Sequence, residues 1–261
     1  MAPLWLTRAR FLARSIVTRR VPFHGMQIDL PFDVRTRISI LAGNLRVQRI
    51  IDRSVNRGDL VVDVGAHIGI NTLYLAMRVG PIGHVVAIEP ASDNLDVLRR
   101  NVSVNRLDNV TVQPVAAGRT HESADFYLRG PVSAVNSRYP DSFYAPVSGV
   151  VRVAVERVDD LVDRSPRLVK IDVEGGELDV LEGMPRLLRE PSIQLIVEWH
   201  PVLQQAAGHA PDALPHVLWA HGFQLRAASH HRVVRLAERD LAPLLARLQR
   251  QRRPVELWAY R

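Results

Sequence analysis

The 261-residue chain contains no cysteine, which excludes disulfides, thiolate metal sites and thiol nucleophiles. Lysine is nearly absent too: of 34 Lys+Arg residues, only Lys170 is a lysine. Aromatic residues make up 6%, and none interleave with the arginines to form a stacking platform for single-stranded nucleic acid. No uninterrupted apolar run reaches the length of a secretory core or a membrane span. The expectation is a cytoplasmic chain.

What is present is ordinary for a globular protein, 47% hydrophobic and 23% charged. The length suits one large α/β domain with a small appendage. A net charge of +7 admits an anionic partner, but the arginine-for-lysine bias is read first as the codon usage of a GC-rich bacterial genome. Nucleic acid is therefore not the expected partner. Residues 1–57 are expected to form an N-terminal helical cap. Within it Met1–Val21 sets Trp5, Phe11 and Ile16 among Arg8, Arg14 and Arg19. That pattern predicts a basic amphipathic helix, docked on the protein or in peripheral contact with a membrane.

From Gly58 onward short β-branched runs alternate with helical patterns, which predicts βαβ units and a doubly wound, mostly parallel sheet. "DLVVDVG", "HVVAIEP", "NVTVQPVAA", "RLVKIDV" and "SIQLIVEWH" read as five strands. "SDNLDVLRRNVSVN" reads as a helix capped by Ser or Asp, and "ELDVLEGMPRLLRE" as one further helix. The terminal "VELWAYR" is the last, antiparallel strand. Residues 118–166 interrupt this rhythm and predict an inserted hairpin whose polar loop hangs near the site.

Four stretches carry candidate chemistry. In "VVDVGAHIGINT", Gly65 and Gly69 allow a tight turn into a helix N-terminus, and Asp63 stands ready to accept from a ligand ammonium. The glycine spacing fits a dinucleotide fingerprint poorly, since His67 and Ile70 occupy two of its positions. Glu89 ends the second strand, where a carboxylate can take both ribose hydroxyls. In "KIDVEGGE", Lys170, Asp172 and Glu174 share one face of a strand running to the switch point. Glu198 and His200 share a face at the end of the next strand, and His200 is the natural general base near neutral pH. Asp172, Glu198 and His200 could also hold a divalent metal such as Mg. That is a secondary reading, and no metal is assigned.

These motifs, in this order from Gly58 to about Pro201, resemble the FkbM family of S-adenosylmethionine-dependent methyltransferases. The "KIDVEGGE" segment is the most specific. The resemblance implies a Rossmann-like, class I methyltransferase domain over residues 58–261. It implies that Asp63, Gly65, Ala66, His67, Gly69 and Thr72 surround the methionine part of the cofactor, with Asp172 adjoining. Glu89 would bind ribose, and Ala116 would lie by the adenine. It further implies O-methylation of a small hydroxylated acceptor, a sugar or a secondary metabolite. On that reading His200 is the base, with Glu174, Asp172, Glu198 and Lys170 around the acceptor. An RNA methyltransferase and a non-catalytic protein retaining the fold are the alternatives.

Overall fold

The computed structural model describes residues 19–30, 34–141, 144–228 and 232–261. The amphipathic helix expected at the N-terminus lies largely outside these residues, but Arg19–Val21 belong to a strand instead. Strand β1 (Arg19–Phe23) pairs antiparallel with β2 (Met26–Leu30). Helix α1 (Val34–Ser54) follows.

The central sheet uses β3 (Leu60–Val64), β4 (His84–Ile88), β5 (Val110–Gln113), β9 (Leu168–Ile171), β10 (Gln194–Trp199), β11 (Gln224–Ala228), β12 (Val233–Leu236) and β13 (Val255–Tyr260). Their spatial order is β12-β11-β13-β10-β9-β3-β4-β5. The five strands from β10 to β5 are parallel, and β13 runs antiparallel against β10. This is a doubly wound α/β sheet whose order reverses between β3 and β9.

Alternation along each strand divides the core in two. Val62, Val64, Val169, Ile171, Leu195 and Val197 pack on one face with α5 (Glu177–Glu182), α7 (Ala213–Ala220) and α8 (Leu241–Gln251). Val61, Val85, Leu168 and Ile196 pack on the other with α1 and α2 (Ile70–Val79). Helix α3 (Ser92–Val104) also covers the sheet, through Leu95 and Leu98. Two-sided burial explains the β-branched runs. Each fully buried Val, Leu or Ile contributes about 1.5–3 kcal/mol.

Several expectations are corrected here. "NVTVQPVAA" is two strands, because Pro114 interrupts it: β6 (Ala116–Ala117) leaves the central sheet and pairs with β8 (Gly149–Glu156). "ELDVLEGMPRLLRE" breaks after Glu182 into a separate 3-10 turn at Leu187–Arg189. The helix ends at its C-cap Gly183, where a Cβ would lie 1.9 Å from the Gly118 carbonyl oxygen, and Pro185 follows. In α3 the cap residue is Ala91, with no side-chain cap. The hairpin of β7 (Glu122–Leu128) and β8 does form. Short α4 (Val158–Leu161) leads back toward β9.

Candidate active site

The first element of the site is a turn that only glycine permits. After β3, Gly65 adopts φ +77°, and a Cβ there would lie 1.8 Å from the Asp172 carbonyl oxygen. That approach brings the ends of β3 and β9 together. Backbone N–H groups of Gly65 and Ala66 both donate to Ile88 O at 3.0 Å, which ties in the end of β4. Above the three strand ends opens a cavity of about 300 Å3.

Strand register explains the lone lysine. Asp63 on β3 stands directly beside Lys170 on β9. Lys170 Nζ lies 3.0 Å from Asp172 Oδ2 and 3.7 Å from Asp63 Oδ1, in a chain interior that leaves Lys170 1% exposed. Burial opposes the lysine charge, but Asp172, Asp63 and Glu256 outweigh it and hold the ammonium above its ordinary range. Asp63 also accepts from Thr72 Oγ1 at 2.7 Å. Burial pushes its carboxyl up, against Lys170 and Thr72.

Asp63, Thr72 and Gly69 are therefore not on the cavity wall, contrary to expectation. Asp63 and Thr72 are fully buried and turned to each other. Gly69, at φ +93°, serves packing: a Cβ would meet Leu98 Cδ1 at 2.6 Å.

Gly65, Ala66, His67, Glu89, Ala116 and Asp172 do line the cavity. Glu89 accepts from His67 N at 2.9 Å, Ala91 N at 3.0 Å and Asn94 Nδ2 at 3.0 Å. A carboxylate has about four acceptor positions, so one remains. Burial raises the Glu89 carboxyl above its usual range in spite of these donors. His67 sits at φ +51° with Nε2 3.3 Å from Val132 O. Burial lowers its pKa to about 4, so the ring is neutral.

At the opposite end the wall is acidic. Asp172, Glu174 and Glu198 bring carboxylate oxygens within 4.8 Å of one another, a grouping that can hold a hard divalent cation. Glu174 takes the place given to His200 in the expected metal set. Glu256 on β13 stands directly opposite Glu198 on β10 and lines the same cavity. Burial, with Asp172 next, raises Glu174, Glu198 and Glu256, the last to about 7. Glu177, also pushed to about 7 by burial, accepts from the Val173 and Gly175 N–H groups and shapes the turn below Glu174.

His200 is not part of this wall. It is 2% exposed and caps α6 (Pro201–Ala206), with Nδ1 accepting from Leu203 N at 3.4 Å. Burial lowers its proton affinity. The assignment as general base is thus corrected to a capping role. Its ring meets Tyr144 edge-on at 5.8 Å, and Tyr144 is itself held protonated by burial and by Glu174, Glu198 and Asp172.

The roof comes from residues that pattern reading could not place. Ser133, Ala134, Asn136 and Arg138 line the cavity from the β7–β8 loop, and Asn44, Arg46 and Val47 line it from α1. Ser137 Oγ donates to Glu174 O at 3.0 Å, and Asn94 Nδ2 donates to Ser133 O at 3.1 Å. Buried Arg129 holds the loop by donating to the carbonyls of Tyr127, Val135, Tyr139 and Pro140. Asn94 was hidden inside a helical repeat, and Glu177 closes the very motif that marked the site.

The wall fits S-adenosylmethionine by its chemistry. Asn71 Oδ1, Asn94 Oδ1, Glu174 Oε2 and Glu256 Oε2 are buried acceptors with no hydrogen-bond donor among the described residues. Buried acceptors call for donors, and the cofactor brings ribose hydroxyls and an ammonium as donors, with a cationic sulfonium to face the carboxylates.

The chain is similar to several known proteins. The "Hexuronic acid methyltransferase AglP" of Haloferax volcanii is 31% identical over 168 residues, covering 63% of this chain and 65% of that protein. "Methyltransferase 1" of Beauveria bassiana is 28% identical over 144 residues, 48% of this chain and 57% of its own. The chain thus spans somewhat under two thirds of these relatives. A solved FkbM methyltransferase of Methylobacillus flagellatus KT superposes with a TM-score of 0.47 at 21% identity, over 78% of this chain and 44% of that one. The Methyltransferase FkbM domain profile matches residues 63–225, more than half of the chain. The chain belongs to the FkbM methyltransferase family, whose methyl donor is S-adenosylmethionine.

Proposed function

We propose that the protein transfers a methyl group from S-adenosylmethionine to a hydroxyl oxygen of a small polyhydroxylated acceptor of the sugar class. The observation that carries this reading is one cavity with two unlike ends. Glu89, Asn94 and the Gly65–His67 turn form a hydrogen-bonding end, and Asp172, Glu174, Glu198 and Glu256 form an acidic one. The name of the Haloferax volcanii relative supports a sugar acid as acceptor.

Glu89 and Asn94 hold the ribose, and Asn71 with the Gly65–His67 turn holds the amino-acid part. When bound, the cofactor supplies an electrophilic methyl group. The protein must align the acceptor oxygen and take its proton. Glu174 is the base: its Oε2 has no donor among the described residues, and burial raises its affinity for a proton. Asp172, fixed by Lys170, orients the acceptor, and Glu198 with Glu256 receives further hydroxyls. As the oxygen gains the methyl group, its proton passes to the Glu174 carboxylate and from there to solvent.

A labelled-methyl screen over uronic acids, neutral sugars and an unrelated RNA hairpin tests this. Label in the sugar arm alone, in an alkali-stable ether, is the expected result. Label in the RNA arm, or in none while S-adenosylhomocysteine binds tightly, contradicts it.

A further inference from the structure

A second concave site lies on the outer part of the sheet, where Arg53, Arg226, Arg232, Val233, Trp258 and Tyr260 line an open groove. Among the described residues no carboxylate lines it. Arg226 Nε donates to Tyr260 OH at 2.8 Å, and its guanidinium stands 5.6 Å from the Tyr260 ring centre and 5.8 Å from that of Trp258. Its neighbour directly across β11–β12 is Arg235, another cation, and like charges facing each other destabilise a strand pair. Asp52, the carboxylate next to Arg53, is already taken by Arg78 at 3.3 Å and by the Tyr74 hydroxyl at 2.7 Å. Among the described residues no ion pair joins Arg53, Arg226 or Arg235 to a carboxylate.

The groove shares its two supports with the active site. Arg46 in the cavity and Arg53 in the groove are seven residues apart on α1, hence on one face and about 10 Å apart along the axis. Glu256 in the cavity, then Trp258 and Tyr260 in the groove, alternate along one face of β13.

We propose that this groove is a second ligand site, taking a phosphate-bearing small molecule. Guanidinium groups are planar forks that match phosphate oxygens two at a time, and a phosphate or diphosphate carries enough charge to engage several. Arg226 is held ready by Tyr260, and the aromatic pair offers a flat wall beside the anion. A ligand here neutralises the charge of Arg53, Arg226 and Arg235, which no carboxylate among the described residues pairs.

The test is calorimetric titration of the full chain with pyrophosphate at fixed ionic strength. Binding is expected, and Arg226→Ala weakens it by about tenfold or more, the loss of one charge-assisted contact. Arg53→Glu, on an exposed helix face, has a similar effect and serves if Arg226→Ala fails to fold. Saturating S-adenosylhomocysteine leaves the affinity unchanged. No binding, binding insensitive to both substitutions, or displacement by S-adenosylhomocysteine overturns the proposal. So does binding to phosphatidylglycerol vesicles without binding to pyrophosphate.

Discussion

Lys170 lies between Asp63 and Asp172 with 1% of its surface exposed, so its removal leaves two carboxylates without a counter-charge. Lys170→Met is expected to cost about 3–5 kcal/mol in urea unfolding, and a loss under 1 kcal/mol contradicts the pairing. Lys170→Arg keeps the charge and changes the shape, and a loss of stability there is expected because the site is buried; full stability contradicts a fit specific to the ammonium. Glu89→Ala is expected to weaken S-adenosylhomocysteine binding at least about tenfold, since it removes a buried carboxylate from the ligand wall. An unchanged affinity argues against the ribose role. His200→Ala is expected to leave turnover within a few-fold of the parent while lowering the melting temperature through loss of the α6 cap. The strand-end position of His200 was legible in "IVEWHP", but its direction was not: the chain turns into α6 there and carries the ring away from the cavity.

The β7–β8 loop is the element that closes the site, and one arginine holds it. Arg129→Ala frees four carbonyls at once, and the expected result is faster proteolysis within 129–148 and a raised KM with the fold intact. Equal protease resistance contradicts this role. The central strands were readable because two-sided burial demands continuous apolar runs, and "KIDVEGGE" was readable because three ionisable residues interrupt one. Of the loop only its place near the site was readable, not the residues it presents, and Arg46 and Glu256 were not readable at all. Their contribution comes from tertiary contact, with α1 and β13 arriving from opposite ends of the chain. Glu256 sits in an alternating strand pattern that looks the same whether its outer face meets water or a cavity.

For the molecule as a whole, the buried acids set the pH dependence. Glu177 and Glu256 rise to about 7 in the fold, from an ordinary carboxyl near 4.5. Their stabilisation is complete below the unfolded pKa and is lost as pH rises through 7. His67 works in the opposite sense: lowered to about 4, it loses stability as pH falls below its unfolded value. The raised acids outnumber it, so the ligand-free protein is expected to melt higher at pH 6 than at pH 8, with a smaller difference in Glu256→Gln. A melting temperature that climbs steadily to pH 8 contradicts this balance.

The central claim is that the acidic wall beside the cofactor cavity performs the proton transfer, through Glu174. Its most direct test measures methyl transfer and S-adenosylhomocysteine affinity on the same preparation of Glu174→Gln. The account predicts turnover reduced at least about a hundredfold, loss of the rise in rate with pH that a buried, upward-shifted carboxylate base imposes, and cofactor affinity within a few-fold of the parent. Turnover near the parental rate with its pH profile intact contradicts it.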